Sequence, residues 1–412
     1  MDRIILHSDM NNFYATVESL YYPEIVDKPF VVGSSTEKNL GIVLSKNYPA
    51  REFNIKTGEP ILSAKKKCPH LIIVPSHFDR YIAYSKKAIK IYSDYTDRIE
   101  RFGMDECWLD VTESTALFGD GETIANEIRS RIRNELGLTV SIGVSFNKIF
   151  AKLGSDLKKP DATTVLSREN FKEKIWHLNA NELLNVGRAT TKTLQKHNIL
   201  TIGDIANTPE SFMKKIFGKR GVDLWQFANG YDSSPVNVED YKSPVKSIGN
   251  STTPTKSLDT YDDIKIVLYQ LVESVTERLR KQNLNGKVVQ ITVKDTNFES
   301  YDRQGDLGTP CCCTNEIFEK AFELFKLHHK PFRPVRMIGV RVTNLMPMDC
   351  TQLSFDSHFE DIQKQEKLDK TIDSIRAKYG NEYIKRAVAM TDPTLVYDEH
   401  EEDMIHMTSF KK

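Results

Sequence analysis

The sequence predicts a multidomain protein of the α+β class. Its 412 residues exceed what a single hydrophobic core usually organises, so two to four domains are expected. In the first part of the chain the hydrophobic patterns follow the order strand, helix, strand, strand, helix, strand, which is the order of the ferredoxin-like unit. After residue 166 the pattern changes to paired short helices around glycine, and after residue 247 it returns to mixed strands and helices.

The elements of this first unit can be predicted one by one. Residues 2–9 form an apolar strand that ends at Asp9, and the strand 138–146 closes the unit. Between these strands the patterns predict a long amphipathic helix over 77–98, a hairpin over 99–112 and a helix over 121–136.

The segment 11–76 interrupts the unit and has elements of its own. It is predicted to contain helical pieces at 11–20, 47–53 and 61–68, a strand pair in "PFVVGSS" and "GIVLSKN", and a strand at 71–75.

The rest of the chain divides into a helical region, a linker and a second mixed region. Short helices are predicted within 182–206 and 214–230, and a Pro/Ser-bearing stretch precedes residue 248. Residues 248–346 combine strands with helices at about 261–281 and 315–328, and the polar tail from 351 has one helical stretch, 366–388.

Composition excludes several classes of protein. With 39% hydrophobic residues and a mean hydropathy of −0.44 the chain has a soluble composition. It has no apolar run near the ~18 residues of a membrane span, and no signal peptide is recognisable, so we expect a cytoplasmic protein. The six cysteines form no CxxC pair, which predicts reduced thiols and no zinc site. The charge balance of 57 against 57 argues weakly against a nucleic-acid partner.

Three acids are predicted to converge. In the ferredoxin-like order, spatially 4-1-3-2, the end of strand 1 lies beside the turn that joins strands 2 and 3. Asp9 ends strand 1, and Asp105 and Glu106 occupy that turn. Clustered carboxylates repel unless a cation neutralises them, and oxygen donors without His or Cys select Mg²⁺ or Mn²⁺. Two such ions serve nucleotidyl transfer. Taken singly, each acid could instead be a solvated turn residue.

Two further sets of residues near these acids can be interpreted either as functional residues or as ordinary core and surface residues. Phe13 and Tyr14 begin a helix close to Asp9, where a ring could exclude a 2′-hydroxyl, although spacing alone favours a core role. Tyr48 and Arg51 lie three residues apart on one helical face and could hold phosphate oxygens. Ser45 and Lys159 could join them, and solvated surface is the alternative for each.

The motifs SDMNNFYA, NYPAREFNIKTG, GMDECWLDVT, SIGVSFNKIFAKLGSDLKKP and LLNVGRATTKTL, in this order, resemble those of the Y-family translesion DNA polymerases of the DNA polymerase IV and UmuC type. The resemblance covers roughly residues 1–350. It implies a right-hand polymerase with a ferredoxin-like palm, small fingers, a helix-hairpin-helix thumb and an α+β little finger. The implied bounds are 1–10 and 77–165 for the palm, 11–76 for the fingers, 166–235 for the thumb, 236–247 for a linker, 248–350 for the little finger and 351–412 for the tail.

The resemblance also assigns roles to residues. Asp9, Asp105 and Glu106 would be catalytic and would hold two Mg²⁺ ions, with Mn²⁺ as an alternative metal and the Met10 carbonyl as a further ligand. Tyr14, with Phe13, would be the steric gate against ribonucleotides. The triphosphate of the incoming dNTP would be bound by Ser45, Tyr48, Arg51 and Lys159.

Contacts with primer–template DNA are expected at two places. The turn Val186-Gly187-Arg188 would present backbone N–H groups to a phosphate, because glycine permits close approach. Lys246, Arg336 and Arg341 lie in strand-like stretches that would follow the template backbone.

Partners other than DNA are also implied. "TQLSFD" resembles a sliding-clamp-binding peptide through Gln352, Leu353 and Phe355, although it is one residue short of the family pattern, and a linker that packs on the domain is the alternative. Accessory subunits or a recombinase are further partners of this family, a monomer is expected, and the family acts in DNA damage tolerance and the SOS response. Two other functions remain open: a catalytically silent DNA-repair scaffold of the same fold, and a nucleotide cyclase, which also places paired acids on such a sheet.

Overall fold

The computed structural model describes residues 2–33, 41–239, 241, 244–330, 333–348 and 358–395. The chain divides into two compact units, which separate between residues 241 and 242. The division falls inside the segment 236–247. The domain bounds inside each unit stay a prediction.

The first unit contains eight strands and twelve helices within the described residues. The strands are Ile5–Met10 (β1), Phe30–Gly33 (β2), Val43–Lys46 (β3), Ile72–Pro75 (β4), Ile99–Arg101 (β5), Glu106–Asp110 (β6), Val140–Ser145 (β7) and Thr163–Leu166 (β8). The helices are Phe13–Tyr21 (α1), Tyr48–Glu52 (α2), Ile61–Lys67 (α3), Phe78–Ser93 (α4), Thr115–Phe118 (α5), Gly121–Leu136 (α6), Lys148–Leu157 (α7), Phe171–Ile175 (α8), Arg188–Lys196 (α9), Ile202–Asn207 (α10), Glu210–Phe217 (α11) and Lys219–Ala228 (α12).

The central sheet of this unit has the strand order β5-β6-β1-β7-β8. The first four strands are antiparallel to their neighbours, so the predicted ferredoxin-like order 4-1-3-2 is confirmed. The fifth strand, β8, joins the edge parallel to β7 and was not predicted. All six residues of β1 are buried, because β1 lies in the middle of the sheet with layers on both faces.

One face of the sheet packs on α4 and α6, and the other face packs on α7. The helix α7 was also not predicted. It has only ten residues, which is shorter than the window over which helical periodicity is usually recognised. Asn147 caps it by accepting a hydrogen bond from the backbone N–H of Phe150, and Gly143 in β7 allows the helix to approach the sheet closely.

Two smaller cores complete the first unit. The strands β3, β2 and β4 form a three-stranded sheet, in which β2 and β3 pair as predicted and run antiparallel, and α2 and α3 share its apolar cluster. The helices α8 to α12 form a separate hydrophobic cluster that also includes side chains of α7.

The second unit is an α+β fold. In chain order its elements are Ser247–Thr252 (β9), Tyr261–Lys281 (α13), Leu284–Asp295 (β10), Ser300–Cys311 (β11), Thr314–His328 (α14), Val335–Pro347 (β12) and His358–Tyr379 (α15). The strands form a four-stranded antiparallel sheet of order β11-β10-β12-β9. The helices α13 and α14 form one apolar core with this sheet.

The predicted tail helix 366–388 is wrong in its bounds, because α15 begins at His358 and ends at Tyr379. A glycine in the left-handed region, Gly380 with φ 101°, follows the helix. This helix covers the cysteine run, where Ile362 packs with Cys311 and Cys313.

The five cysteines that the structure describes are free thiols and all of them are buried. Within the described part of the chain, none of the helices combines the length and the apolar character that a membrane crossing requires.

Candidate active site

The three predicted acids lie together at one end of the central strands. Asp9 in β1 pairs with Glu106 in β6, and Asp105 precedes Glu106 at the turn between β5 and β6. The backbone N–H of Met10 donates a 3.0 Å hydrogen bond to the carbonyl of Asp105, which ties this turn to the end of β1. Strand register therefore brings Asp9 next to the sequence neighbours Asp105 and Glu106.

Two lysines lie between the carboxylates. The Nζ atom of Lys159 is 2.7 Å from Asp9 Oδ2, and that of Lys152 is 2.7 Å from Glu106 Oε2 and 3.6 Å from Asp9 Oδ2. Both lysines also contact Asp156, at 2.9 Å and 3.4 Å respectively. The result is a compact cluster in which acids outnumber lysines.

The lysines and a buried histidine set the ionisation of two of the acids. Burial opposes the charge on Glu106, but the adjacent His7 imidazole and the charge of Lys152 outweigh it and lower the pKa of Glu106 to about 2. Burial raises the pKa of Asp9, and the charge of Lys159 counteracts this rise. Glu106 is therefore ionised throughout the neutral range.

Asp105 behaves differently from its two neighbours. Burial, reinforced by the charges of Asp9 and Glu106, raises the pKa of Asp105 to about 7. Burial is the larger of these causes, and the negative charges of Asp9 and Glu106 add to it. An additional cation next to Asp105 would lower its pKa and relieve the repulsion among the carboxylates.

The donor chemistry fits a hard divalent cation. Carboxylate oxygens and a backbone carbonyl are ligands of Mg²⁺ and Mn²⁺, and all three acids line one cavity together with Met10. Among the described residues, no three His, Cys, Asp or Glu side chains already stand in a metal-binding arrangement. The ammonium groups of Lys152 and Lys159 lie between the carboxylates. The two lysines would therefore have to move away from the carboxylates before these could bind a metal.

The cavity at this site has a volume of about 410 Å³. One wall is formed by the acids and the two lysines, and the opposite wall by β3 and α2. The predicted triphosphate residues on these walls are Ser45, Tyr48, Arg51 and Lys159.

The short helix α2 holds two of these residues in place. The Asn47 side chain caps it by accepting a hydrogen bond from the N–H of Ala50, and donates to the carbonyls of Val26 and Lys28. Tyr48 and Arg51 follow the cap directly, so the cap fixes their position at the cavity wall.

The two predicted gate residues are placed differently. Phe13 is buried, at 3% exposure, and lines the cavity. Tyr14 is half-buried; its ring stacks on Tyr81 with 4.3 Å between centroids, and its hydroxyl is 3.8 Å from the Met104 sulphur. Burial raises the pKa of Tyr14 to about 12, so this phenol stays neutral.

Four residues of the site were missed in the sequence. Lys152 and Asp156 lie four apart on the unpredicted helix α7, and Lys46 lines the cavity from β3. His7, fully buried, contacts Ser155 Oγ at 2.9 Å and Glu106 Oε2 at 3.4 Å. The sequence feature that could have revealed Lys152 and Asp156 was their four-residue spacing inside the motif FAKLGSDLKKP.

The predicted DNA contacts lie at the surface with one exception. Gly187, where an added Cβ would meet no atom within 4 Å, precedes α9, and Arg188 is exposed. The side chain of Val186 is buried in the helical cluster, so only its backbone could face a ligand. In the second unit the exposed predicted contacts are Lys246, Arg336 and Arg341. The predicted clamp residues Gln352, Leu353 and Phe355 lie outside the described residues.

Comparison with known proteins identifies relatives over most of the chain. The model of the impB/mucB/samB family matches residues 8–156, and the model of that family's C-terminal domain matches residues 245–355. A protein named DNA polymerase IV from Acetivibrio thermocellus is 51% identical over 393 residues, covering 95% of this chain and 98% of that protein.

Two further comparisons agree with this result. A DNA polymerase IV from Clostridium kluyveri is 36% identical over 392 residues, which cover 93% of this chain and 98% of the relative. Among solved structures, a Y-family DNA polymerase chimera matches with a TM-score of 0.73 at 26% identity, over 84% of this chain and 99% of the chimera.

Proposed function

The chain belongs to the impB/mucB/samB family, and from this premise we propose that it is a Y-family translesion DNA polymerase. It adds dNTPs to a primer 3′-hydroxyl under the direction of a DNA template, and it acts in damage tolerance. The observation that carries the proposal is the meeting of Asp9, Asp105 and Glu106 at one end of the sheet, beside a cavity that basic side chains also line.

The three carboxylates are proposed to hold two divalent cations, Mg²⁺ or Mn²⁺, with the Met10 carbonyl as a further ligand. When bound, such cations favour ionisation of the primer hydroxyl and stabilise the charge on the leaving pyrophosphate. Glu106, ionised because of its low pKa, is the proposed neighbour of the primer hydroxyl. The raised pKa of Asp105 supports the proposal, because it indicates a site that gains from additional positive charge.

The triphosphate is proposed to bind along the opposite wall. Arg51 offers a planar, bidentate donor, and the hydroxyls of Tyr48 and Ser45 offer single donors to phosphate oxygens. Lys159, which pairs with Asp9, lines the same cavity and is the proposed fourth donor. This wall orients the α-phosphate towards the acids and shields its charge.

Tyr14, backed by Phe13, is the proposed gate that distinguishes deoxyribose from ribose. The Tyr14 ring stacks on Tyr81, so it cannot easily move to make room for a bulkier sugar. A 2′-hydroxyl pressed against an aromatic face would lose its hydrogen bonds without replacement. The proposed sugar preference follows from this desolvation.

The DNA is proposed to contact the backbone at Val186, Gly187 and Arg188 in the thumb, and Lys246, Arg336 and Arg341 in the little finger. The domain names and bounds given for the palm, fingers, thumb, linker and little finger belong to the same proposal. Because these contacts are made to phosphates, they position the duplex without reading its sequence.

The remaining features of the proposal concern fidelity and partners. Small fingers would enclose the new base pair loosely, so we expect low fidelity without proofreading. Clamp binding through Gln352, Leu353 and Phe355, contacts with accessory subunits or a recombinase, a monomeric state and a cytoplasmic location belong to the proposal as well.

Primer extension tests the proposed function. With Mg²⁺ and dNTPs, the purified protein should extend a primer on undamaged templates and past a lesion, and Glu106→Gln should reduce the rate by about 10²-fold or more. Glu113→Gln, an exposed acid outside the site, is the matched control. Absence of template-dependent synthesis by the wild-type protein would contradict the proposal and favour the silent scaffold, whose cellular effect should survive Asp105→Asn.

A further inference from the structure

The turn between β10 and β11 is held in a single conformation by Asp295. Its Oδ1 accepts hydrogen bonds from the backbone N–H groups of Asn297, at 2.9 Å, and Glu299, at 3.0 Å. The N–H of Phe298 donates to the Asp295 carbonyl at 3.0 Å. Arg333 also stabilises the turn, because its Nη1 donates hydrogen bonds to Glu299 Oε2 at 2.7 Å and to Asp295 Oδ2 at 3.2 Å. The tip of this hairpin is therefore rigid.

Phe298 occupies the tip with an unfavourable backbone angle. Its φ is 66°, in the left-handed region that glycine and asparagine adopt with least cost and a bulky side chain adopts rarely. Burial does not compensate, because 67% of the Phe298 surface is exposed. Strained residues of this kind concentrate at binding sites, where an external ligand can use the exposed group.

A cation accompanies the exposed ring. The Arg336 guanidinium carbon lies 5.1 Å from the centroid of the Phe298 ring, within the range of a cation–π contact. Arg336 is itself exposed and forms no ion pair with any residue that the structure describes. A guanidinium without an ion-pair partner among the described residues thus lies over an exposed aromatic ring at the surface.

We propose that Phe298 and Arg336 form a stacking site for an unpaired nucleobase of the DNA template. The ring stacks on the base, and the guanidinium contacts the adjoining phosphate. This inference rests on the proposed function and extends it, because it names a base-binding residue in addition to the proposed phosphate contacts.

The chemistry of the pair favours a nucleobase. Proteins that hold single strands without sequence preference combine an aromatic platform with a positive charge that follows the backbone. Every base has a π-face, so one aromatic ring accepts any of the four, as a polymerase that meets many template sequences requires. A peptide ligand would need a surrounding pocket, and this ring stands at an open hairpin tip.

Binding to primer–templates tests the proposal. The single-stranded template overhang carries one abasic analogue, moved stepwise through successive positions, and affinity is measured for the full chain. In the wild-type protein one position should weaken binding by about 5-fold or more, the range expected for one base–aromatic stack. In Phe298→Gly this position dependence should disappear. Glycine suits the positive φ, so the variant keeps the turn.

Two more variants complete the test. Phe298→Trp should restore the position dependence, and its fluorescence should be quenched by the intact overhang but not by the abasic one. Tyr383→Ala, at an exposed aromatic residue in the same unit, should behave as wild type. The inference is overturned if Phe298→Gly retains the wild-type dependence on abasic position, or if no position matters in the wild type.

Primer extension on an undamaged template separates this result from failure of the proposed function. If the wild-type protein extends primers while Phe298→Gly shows unchanged base dependence, only the stacking site is refuted. If the wild-type protein extends no primer, the proposed polymerase function itself fails.

Discussion

At the scale of single residues, Lys152 explains how the acids are tolerated near the buried middle of the sheet. It contacts Glu106, Asp9 and Asp156 with one ammonium group. Burial lowers the pKa of Lys152, but its acidic neighbours outweigh burial and raise it, so this lysine stays charged. One buried cation thereby offsets part of the repulsion among several anions.

Asp105 is the acid whose charge remains least compensated. Because its folded pKa is about 7, above the value of 3.8 for an ordinary aspartate, ionised Asp105 destabilises the folded state. The destabilisation is absent below pH 3.8, grows as the pH rises towards 7 and is complete above it.

We therefore expect Asp105→Asn to stabilise the protein while abolishing synthesis. Without divalent metal, the free energy of unfolding at pH 8 should rise by about 2 kcal/mol, and at pH 4 it should change little. Chemical denaturation in the presence of a chelator at both pH values measures the difference. Glu113→Gln serves as the exposed control, and a loss of stability at pH 8 would show that Asp105 is not repelled by its neighbours.

The proposed gate residue, Tyr14, gives a second prediction at the scale of single residues. Tyr14→Ala should admit ribonucleotides at least 10-fold more readily relative to deoxyribonucleotides, because the supported ring is removed. Tyr14→Phe keeps the ring and loses only the weak contact to the Met104 sulphur, so it should retain the selectivity. Competition between the two nucleotides in primer extension measures it, and equal selectivity in all three proteins would exclude Tyr14 as the gate.

At the scale of elements, the approach of α7 to β7 positions Lys152. A Cβ at Gly143 would overlap the carbonyl oxygen of Ala151 and the backbone nitrogen of Ser155, neither of which can rotate away. Gly143 is therefore required for the close packing of α7 on β7, and not for a turn.

Gly143→Ala should accordingly destabilise the first unit by about 3 kcal/mol and weaken primer extension, because α7 must shift. Gly187→Ala is the matched control for stability, since an added Cβ there meets open space and the φ of −84° suits any residue. Thermal unfolding of both variants provides the measurement. Equal unfolding temperatures in the two variants would mean that α7 can shift without loss of stability.

The helix α15 is attached to the second unit through a buried arginine. The Arg280 guanidinium makes two hydrogen bonds to Asp373, at 2.5 and 2.9 Å, and lies 3.4 Å from Asp369. Asp369 also accepts a hydrogen bond from the N–H of Thr314 at the start of α14. The tail helix thus caps the first turn of α14 with a carboxylate.

Arg280→Ala should release α15, because Asp373 would lose its cation and Asp369 would keep only Arg386, 3.6 Å away, at a cost of about 3–5 kcal/mol. Hydrogen exchange of the α15 amides should accelerate by at least 10-fold. Lys265→Ala, which removes a more exposed pair with Asp262, should leave exchange in α15 unchanged. Unchanged protection in Arg280→Ala would show that apolar contacts alone hold the helix.

At the scale of the whole molecule, a net charge of zero is compatible with DNA binding. The sequence balance of 57 against 57 argued weakly against a nucleic-acid partner, yet relatives over more than nine-tenths of the chain are named DNA polymerase IV. The physical reason is that affinity depends on the local field at the phosphates, and charges beyond a Debye length of ~8 Å are screened.

Binding to primer–template DNA should therefore weaken as salt increases, in spite of the neutral total charge. Arg188→Ala should reduce the slope of log affinity against log salt by about 1, as expected for the loss of one phosphate contact. Lys364→Ala, a highly exposed lysine on α15, should leave the slope unchanged. Fluorescence anisotropy at several salt concentrations measures the slopes, and equal slopes in the two variants would remove Arg188 from the contact set.

Most of the fold was predictable because hydrophobic periodicity is a local property. The order of strands in the ferredoxin-like unit and the bounds of α13 follow directly from the pattern. The helix α7 and the strand β8 were not predicted, because ten and four residues give only a short periodic signal. The end of α15 was misplaced for a related reason: its exposed surface carries little periodic signal, and Gly380 ends it.

The sequence by itself determined the α+β class, the strand order and the identity of the three acids, because each depends on local patterns or a recognisable motif. Only the tertiary structure decided that Lys152 and His7 join Asp9 and Glu106, and that Arg280 anchors the tail helix. These pairings join residues far apart in the chain, and they arise from strand register and helix packing, which single-residue patterns do not encode. The positive φ of Phe298 belongs to the same class, because the hydrogen bonds of Asp295 impose it from outside the residue.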